Sequence, residues 1–222
     1  MTIPTATLLV AYGKGDAVSL ASFTALAEQL ELRLHHAVIA CALDEGQSAL
    51  IGAISQALQV GAVRLVILPL FISPAEYKNN PIAEAVAFAS RRFPFLQFHL
   101  APPISWESWV TIANENARPH HPVEDNTESA LILVAQDDGA TINSDLAKLA
   151  RLVYEANTFG WVEIAFTGSD SRSSLPTMMH QLNHLGAQSQ LVVPWVLFAG
   201  TAVSEINEMA AMKPKTAVVP HL

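Results

Sequence analysis

The chain contains two similar halves. Residues 8–13 read Leu-Leu-Val-Ala-Tyr-Gly, and residues 131–136, about 124 positions further on, read Leu-Ile-Leu-Val-Ala-Gln. At nearly the same offset, residues 61–71 are answered by residues 186–196, each beginning with Gly-Ala and ending in an apolar run that contains a proline. Two matches at one offset indicate an internal duplication. We therefore expect two copies of one folding unit with a cleft between them.

Apolar runs alternate with helical patterns in both halves. The runs are rich in Val and Ile and nearly continuous, which is typical of parallel strands covered on both faces. Strands are predicted at 7–11, 36–42, 64–71, 95–101, 130–135, 161–166, 190–196 and 215–219. Helices are predicted at 17–34, 46–60, 81–92, 105–117, 143–157, 172–185 and 200–211. The predicted fold class is α/β, with two tandem parallel-sheet βαβ lobes related by the duplication.

The predicted boundary between the lobes is a polar segment. Residues 118–129 contain two prolines, two adjacent histidines and no hydrophobic period, so they are interpreted as a linker. The N-terminal lobe is then 1–117 and the C-terminal lobe 130–222. The paired histidines of the linker could bind a metal, although exposed linker histidines usually have no such role.

Composition excludes several classes of function. The formal net charge is −8 and no basic run occurs, which argues against a nucleic-acid partner. No apolar run approaches the ~18 residues of a membrane span, so no membrane partner is expected. Cys41 is the single cysteine, which rules out an internal disulfide and predicts a cytoplasmic location. Because Cys41 lies in an apolar run, it is interpreted as a core residue rather than a nucleophile.

The candidate site lies after the first and third strands. In open parallel sheets, ligands bind beyond the carboxyl ends of the strands, where strand order reverses. Residues 12–14 and 76–78 follow these two strands, and each segment carries a tyrosine and a lysine. If the two strands are neighbours, both segments border one crevice, and the lysines would attract carboxylates or phosphates. The alternative is solvated lysines beside tyrosines that cap the sheet.

Other motifs are weaker. Residues 13–15 read Gly-Lys-Gly and lack the spacing of a phosphate-binding loop. His180 and His184 have helical i, i+4 spacing and could ligate a metal on one face, but this spacing often occurs without function. Trp106 and Trp109 could form an apolar patch for a partner subunit, although tryptophans at helical spacing more often lie in a core.

Several segments together resemble the small chelatases that insert cobalt or iron into sirohydrochlorin. The family's first strand and turn read roughly Leu-Leu-Val-Ala-His-Gly-Ser, which residues 8–14 resemble. Its third strand runs into Leu-Pro-Leu-Phe-Leu-x-Pro-Gly-x-His, which residues 68–77 resemble. Further similar segments are 100–104, 143–152, 161–168 and 193–200. The resemblance covers nearly the whole chain and implies a two-lobed chelatase-like fold.

The resemblance also implies site residues and a substrate. In the family, the two motif histidines hold the metal and help to remove pyrrole protons, and here Tyr12 and Tyr77 stand at both positions. An ordinary imidazole (pKa ~6.5) is largely neutral at pH 7, whereas an ordinary phenol (~10) must ionise at a cost of roughly 4 kcal/mol. The implied substrates are a tetrapyrrole and divalent cobalt or iron. The implied metal-binding and catalytic residues are Tyr12 and Tyr77. Beside them, Glu76 is the candidate proton acceptor, and Lys14, Lys78 and Gly13 are the candidate substrate-binding residues.

The tyrosines also support an alternative. Phenolate binds ferric iron well, and tyrosine is the axial haem ligand of some proteins. The chain would then be a catalytically inactive homologue that binds haem, another tetrapyrrole or a metal as a carrier, sensor or regulator.

Overall fold

The computed structural model describes residues 3–12, 17–43, 48–73, 77, 82–120, 127–137, 139–168, 173–212 and 215–220. These residues form eight β-strands, seven α-helices and a short 3₁₀ helix. By its contacts the chain divides into two units, Met1–Ile104 and Ser105–Leu222. Within the described residues, no helix has the length and apolar character needed to cross a membrane.

The first unit is a four-stranded parallel sheet with helices between its strands. Its elements are β1 (Thr5–Tyr12), α1 (Ala17–Leu34), β2 (Val38–Leu43), α2 (Ser48–Gln59), β3 (Arg64–Leu70), α3 (Ile82–Arg92) and β4 (Gln97–Leu100). The strand order is β2-β1-β3-β4. The central strand β1 is buried on both faces, since Leu8, Leu9 and Val10 are all inaccessible to solvent. Leu8 and Val10 share a core with Leu50 and Ile54 of α2, which explains the unbroken apolar run in the sequence.

The second unit repeats this arrangement. Its elements are α4 (Trp106–Ala117), the 3₁₀ helix Arg118–His120, β5 (Ser129–Gln136), α5 (Ala140–Glu155), β6 (Trp161–Thr167), α6 (Leu175–His184), β7 (Ser189–Pro194), α7 (Thr201–Ala211) and β8 (Thr216–Val218). The strand order is β6-β5-β7-β8, again entirely parallel. Ile132 and Val134 of β5 pack in one core with Met179 of α6 and Ile206 of α7.

Strand register shows the duplication in detail. Val10 of β1 pairs with Pro69 of β3, and Val134 of β5 pairs with Pro194 of β7. Each proline thus occupies the same place beside its central strand. The matched order of strands and the matched register confirm the predicted α/β class and the duplicated parallel sheets.

Helix α4 packs with the second unit. Trp109 is buried, and its ring meets that of Trp195 edge to face with centroids 5.4 Å apart. The Nδ2 group of Asn157 donates a 2.6 Å hydrogen bond to Oδ1 of Asn114 on the same helix. The sequence predicts this helix as part of the N-terminal lobe, whereas the contacts end the first unit at Ile104. Residues 121–126 of the predicted linker lie outside the described residues, so the linker at 118–129 stays a prediction.

Candidate functional site

Strands β1 and β3 are neighbours and parallel, with Ala11 of β1 opposite Leu70 of β3. From β1 the chain continues to β2 on one side, whereas β3 and β4 lie on the other. The carboxyl ends of β1 and β3 therefore border the point where strand order reverses, which is where open α/β sheets bind ligands. Tyr12 is the last residue of β1, and Tyr77 follows β3.

Tyr77 is held against the core of the first unit. Its ring meets the buried ring of Phe71 edge to face, with centroids 5.7 Å apart and planes at 67°. Its backbone N–H donates a 3.2 Å hydrogen bond to the carbonyl oxygen of Ser73, and its side chain is half-buried. The aromatic ring is therefore positioned by packing. This arrangement supplies an anchored phenol close to the switch point.

The other predicted site residues are only partly covered. The backbone of Tyr12 pairs with Leu43 in the sheet, while its side chain is not among those described. Four residues lie outside the described part of the chain: Gly13, Lys14, Glu76 and Lys78. Their assignment as substrate-binding residues or proton acceptor stays a prediction.

A polar pair that was not predicted from the sequence lies at the carboxyl ends of the strands of the second sheet. Asp137 follows β5, and its Oδ1 accepts a 2.8 Å hydrogen bond from Nδ2 of Asn143 on α5. The same oxygen accepts a 3.3 Å hydrogen bond from the backbone of Gly139. Within the described residues, the buried Oδ1 of Asn143 has no hydrogen-bond partner. The sequence signal for this pair is the polar run at 136–139. This run follows β5, the counterpart of β1, and the candidate tyrosine and lysine of the first half occur at the end of β1.

Two other predictions concerned isolated side chains. Cys41 is buried in β2, and this burial raises the pKa of its thiol to about 11, so it is a core residue as expected. Trp109 is buried and Trp106 is half-buried, with the Nζ atom of Lys148 5.5 Å from its ring centroid. The predicted core position of Trp109 is correct. In the described part of the chain, no three His, Cys, Asp or Glu side chains are grouped closely enough to hold a metal.

A pocket of about 400 Å³ lies elsewhere in the second unit, between α5 and β6. Its lining includes Arg151 and Tyr154 from the helix, and Trp161 and Glu163 from the strand. It lies along the first half of the edge strand β6 rather than beyond the carboxyl ends. It therefore contains none of the predicted site residues.

The chain is thus an α/β protein of two units, each built on a four-stranded parallel sheet. Its candidate site lies at the switch point between β1 and β3 of the first sheet. The CbiX family model matches residues 6–117 and 139–220, which includes strands of both units. The chain belongs to the CbiX family.

Two curated relatives are chelatases from Priestia megaterium. A sirohydrochlorin cobaltochelatase is 26% identical over 153 residues, covering 67% of this chain and 50% of that protein. A sirohydrochlorin ferrochelatase is 24% identical over 153 residues, covering 68% of this chain and 57% of that protein. The matches thus extend over only about half the length of these relatives.

A solved structure has the same fold. The sirohydrochlorin chelatase SirB from Bacillus subtilis subspecies spizizenii, determined in complex with cobalt, superposes with a TM-score of 0.70 at 16% sequence identity. The match covers 99% of this chain and 88% of that one. The comparison confirms the chelatase-like fold inferred from the resemblance.

Proposed function

We propose that this chain inserts divalent cobalt or iron into sirohydrochlorin or a related tetrapyrrole. The supporting observation is the position of Tyr12 at the end of β1 and of Tyr77 after the neighbouring strand β3, at the switch point of a CbiX-family sheet. The two curated relatives are sirohydrochlorin chelatases, one for cobalt and one for iron. The metal ion is a substrate of the proposed reaction and not a resident cofactor.

Metal insertion has two chemical requirements. The ion must be held over the macrocycle, and two pyrrole N–H protons must leave as the metal enters. Tyr12 and Tyr77 are the proposed metal ligands through their phenol oxygens, with Glu76 as the proposed proton acceptor. The packing of Tyr77 on Phe71 supports this role, because a ligand held in one position need not be ordered when the metal arrives.

The proposed substrate-binding groups are Lys14 and Lys78, together with Gly13. The chain carries a formal net charge of −8, so the protein as a whole does not favour an anionic substrate. Two lysines near the ends of β1 and β3 would supply local positive charge for the carboxylates of a tetrapyrrole. Charge reversal at Lys14 and Lys78 is therefore expected to raise KM more than it lowers kcat.

The test is a metal-insertion assay with sirohydrochlorin and Co²⁺ or Fe²⁺ under anaerobic conditions, followed by absorbance. We expect the protein to exceed the rate of the metal-only control, and Tyr12→Phe/Tyr77→Phe to fall to that rate. The phenylalanine variant is a matched change, because it keeps the ring that packs on Phe71 and removes only the oxygen. A double variant as fast as the unaltered protein would contradict the tyrosine roles.

The double variant Tyr12→His/Tyr77→His tests the same positions by a change that should increase the rate of metal insertion. Imidazole is mostly neutral at pH 7 and binds metals without the ionisation that a phenol requires. We expect this variant to insert metal faster than the unaltered protein. If the unaltered protein only matches the metal-only control while this variant is active, the native chain is not a chelatase.

The paired tyrosines favour one second function, which is binding of haem or another tetrapyrrole without turnover. Tyrosine can serve as an axial haem ligand. Titration with haemin would then shift the Soret band, and Tyr12→Phe/Tyr77→Phe would abolish the shift. A shift that persists in this variant would reject ligation by the tyrosines, and no shift with haemin or metal-free porphyrin would reject the carrier function.

A further inference from the structure

Helix α6 carries two histidines that the proposed reaction does not use. His180 and His184 are one helical turn apart, and both side chains are exposed. Their ring centroids are 4.2 Å apart, with the ring planes at 61°. Residues four apart share one face of a helix, and here the two imidazoles are in direct contact.

A hydrogen bond determines which nitrogen of His184 is available. Its Nδ1 lies 2.9 Å from the backbone carbonyl oxygen of His180. A carbonyl oxygen only accepts, so Nδ1 carries the hydrogen and donates it. Nε2 is then the nitrogen with the free lone pair in the neutral ring. Metal-binding histidines are typically oriented in this way, by donating the other ring N–H to a carbonyl or carboxylate oxygen.

We propose that His180 and His184 form a chelating site for one divalent transition-metal ion. Zinc-to-nitrogen bonds of 2.0–2.1 Å place two tetrahedral ligand nitrogens about 3.3 Å apart, a separation that adjacent imidazole rings on one face can meet. His184 ends the helix, where the helix dipole favours a positive charge. The proposed site has two protein ligands, and water would occupy the remaining positions of the ion.

This site lies at the end of the second sheet opposite the carboxyl ends of its strands. Helix α6 begins near the end of β6, where the N–H of Phe166 donates to the carbonyl oxygen of Ser173. It ends near the start of β7, where Nε2 of Gln190 donates to Oδ1 of Asn183. His180 and His184 are therefore close to the amino ends of the strands. The proposed ion is distinct from the metal substrate of the insertion reaction.

The test is calorimetric titration of untagged, full-length protein with Ni²⁺ alone. We expect one ion per chain, with affinity reduced at least ~10-fold in His180→Ala and in His184→Ala, since loss of even a supporting hydrogen bond costs 10–100-fold. The matched control is His184→Ala/Gln181→His, which keeps the number of histidines but places them on adjacent positions that do not face each other. It should bind as weakly as His184→Ala.

The same titration can overturn the proposal. Equal affinity in the unaltered protein, His184→Ala and the matched control would show that Ni²⁺ binds elsewhere. Loss of binding in His120→Ala/His121→Ala with retention in His184→Ala would assign the ion to the predicted linker. Tyr12→Phe/Tyr77→Phe should retain the site, so its fate is independent of the insertion assay. Circular dichroism verifies that each variant is folded, and His184→Gln repeats the test with a larger polar side chain.

Discussion

Glu163 has a raised pKa although its side chain is partly exposed to solvent. It lies on β6 and lines the pocket beside α5. Partial desolvation by the walls of the pocket raises its pKa above the usual value of 4.5. The folded chain therefore binds this proton more tightly than the unfolded chain does.

Replacement of Glu163 by Gln should change the pH dependence of stability. In the unaltered protein, ionisation of Glu163 costs native stability as pH rises from 4.5 through the raised folded value. Gln cannot ionise, so the variant should have a higher Tm than the unaltered protein at pH 7.5 and the same Tm at pH 3.5. Thermal unfolding at both pH values is the measurement. Glu208→Gln, on the exposed face of α7, is the control and should show no such dependence. A Tm difference independent of pH would contradict the assignment.

At the scale of single side chains, part of the candidate site was accessible from the sequence. The sequence has a tyrosine after each of two apolar strands. Because parallel strands present their carboxyl ends on the same side of the sheet, this pattern predicts that the two tyrosines lie near each other. The packing of Tyr77 on Phe71 was not accessible, because it depends on how the chain turns after β3. The hydrogen bond between Asp137 and Asn143 was not predicted either, because it depends on how the chain turns between β5 and α5.

Replacement by alanine should have opposite effects on stability at Gly160 and at Gly52. A Cβ at Gly160, just before β6, would overlap the backbone carbonyl of Thr127, whereas one at Gly52, within α2, meets nothing within 4 Å. Gly160→Ala should lower the free energy of unfolding by about 1–3 kcal/mol through overpacking. Gly52→Ala should raise it by about 0.5–1 kcal/mol through lower backbone entropy in the unfolded chain. Urea titration of both variants measures the two effects, and stabilisation by both would show that the chain near Thr127 yields easily.

Strands were more predictable than helix starts. Every predicted strand overlaps an observed one. The signal is clearest for a central strand such as β5, because a strand buried on both faces leaves an unbroken apolar run. The helix predicted from 143 begins earlier, at Ala140. Its first turn follows Gly139, which has a positive φ of 95°. Hydrophobic periodicity locates the buried face of a helix but carries little information on its first turn.

At the scale of the whole molecule, the feature hardest to predict from the sequence was the unit to which α4 belongs. The sequence shows that this helix has an apolar face, which includes Trp109 and Ala113. It does not show which sheet that face covers, because the repeat supplies a similar apolar surface in both halves. Its contacts, which include those with Trp195 and Asn157, associate it with the second unit.

Fragments with different boundaries test this assignment. We expect a fragment of residues 105–222 to unfold cooperatively, and one of residues 127–222 to be less stable, because removal of α4 uncovers Trp195, which is fully buried in the intact chain. Loss of the edge-to-face contact with Trp109 costs about 0.5–1.5 kcal/mol in addition to the apolar area that is uncovered. The measurement is thermal unfolding followed by circular dichroism and by tryptophan fluorescence. For the first half, residues 1–104 and 1–117 should have the same Tm, since the contacts of α4 group it with the second unit. A higher Tm for 1–117 than for 1–104 would instead support the boundary predicted from the sequence, with α4 as part of the N-terminal lobe.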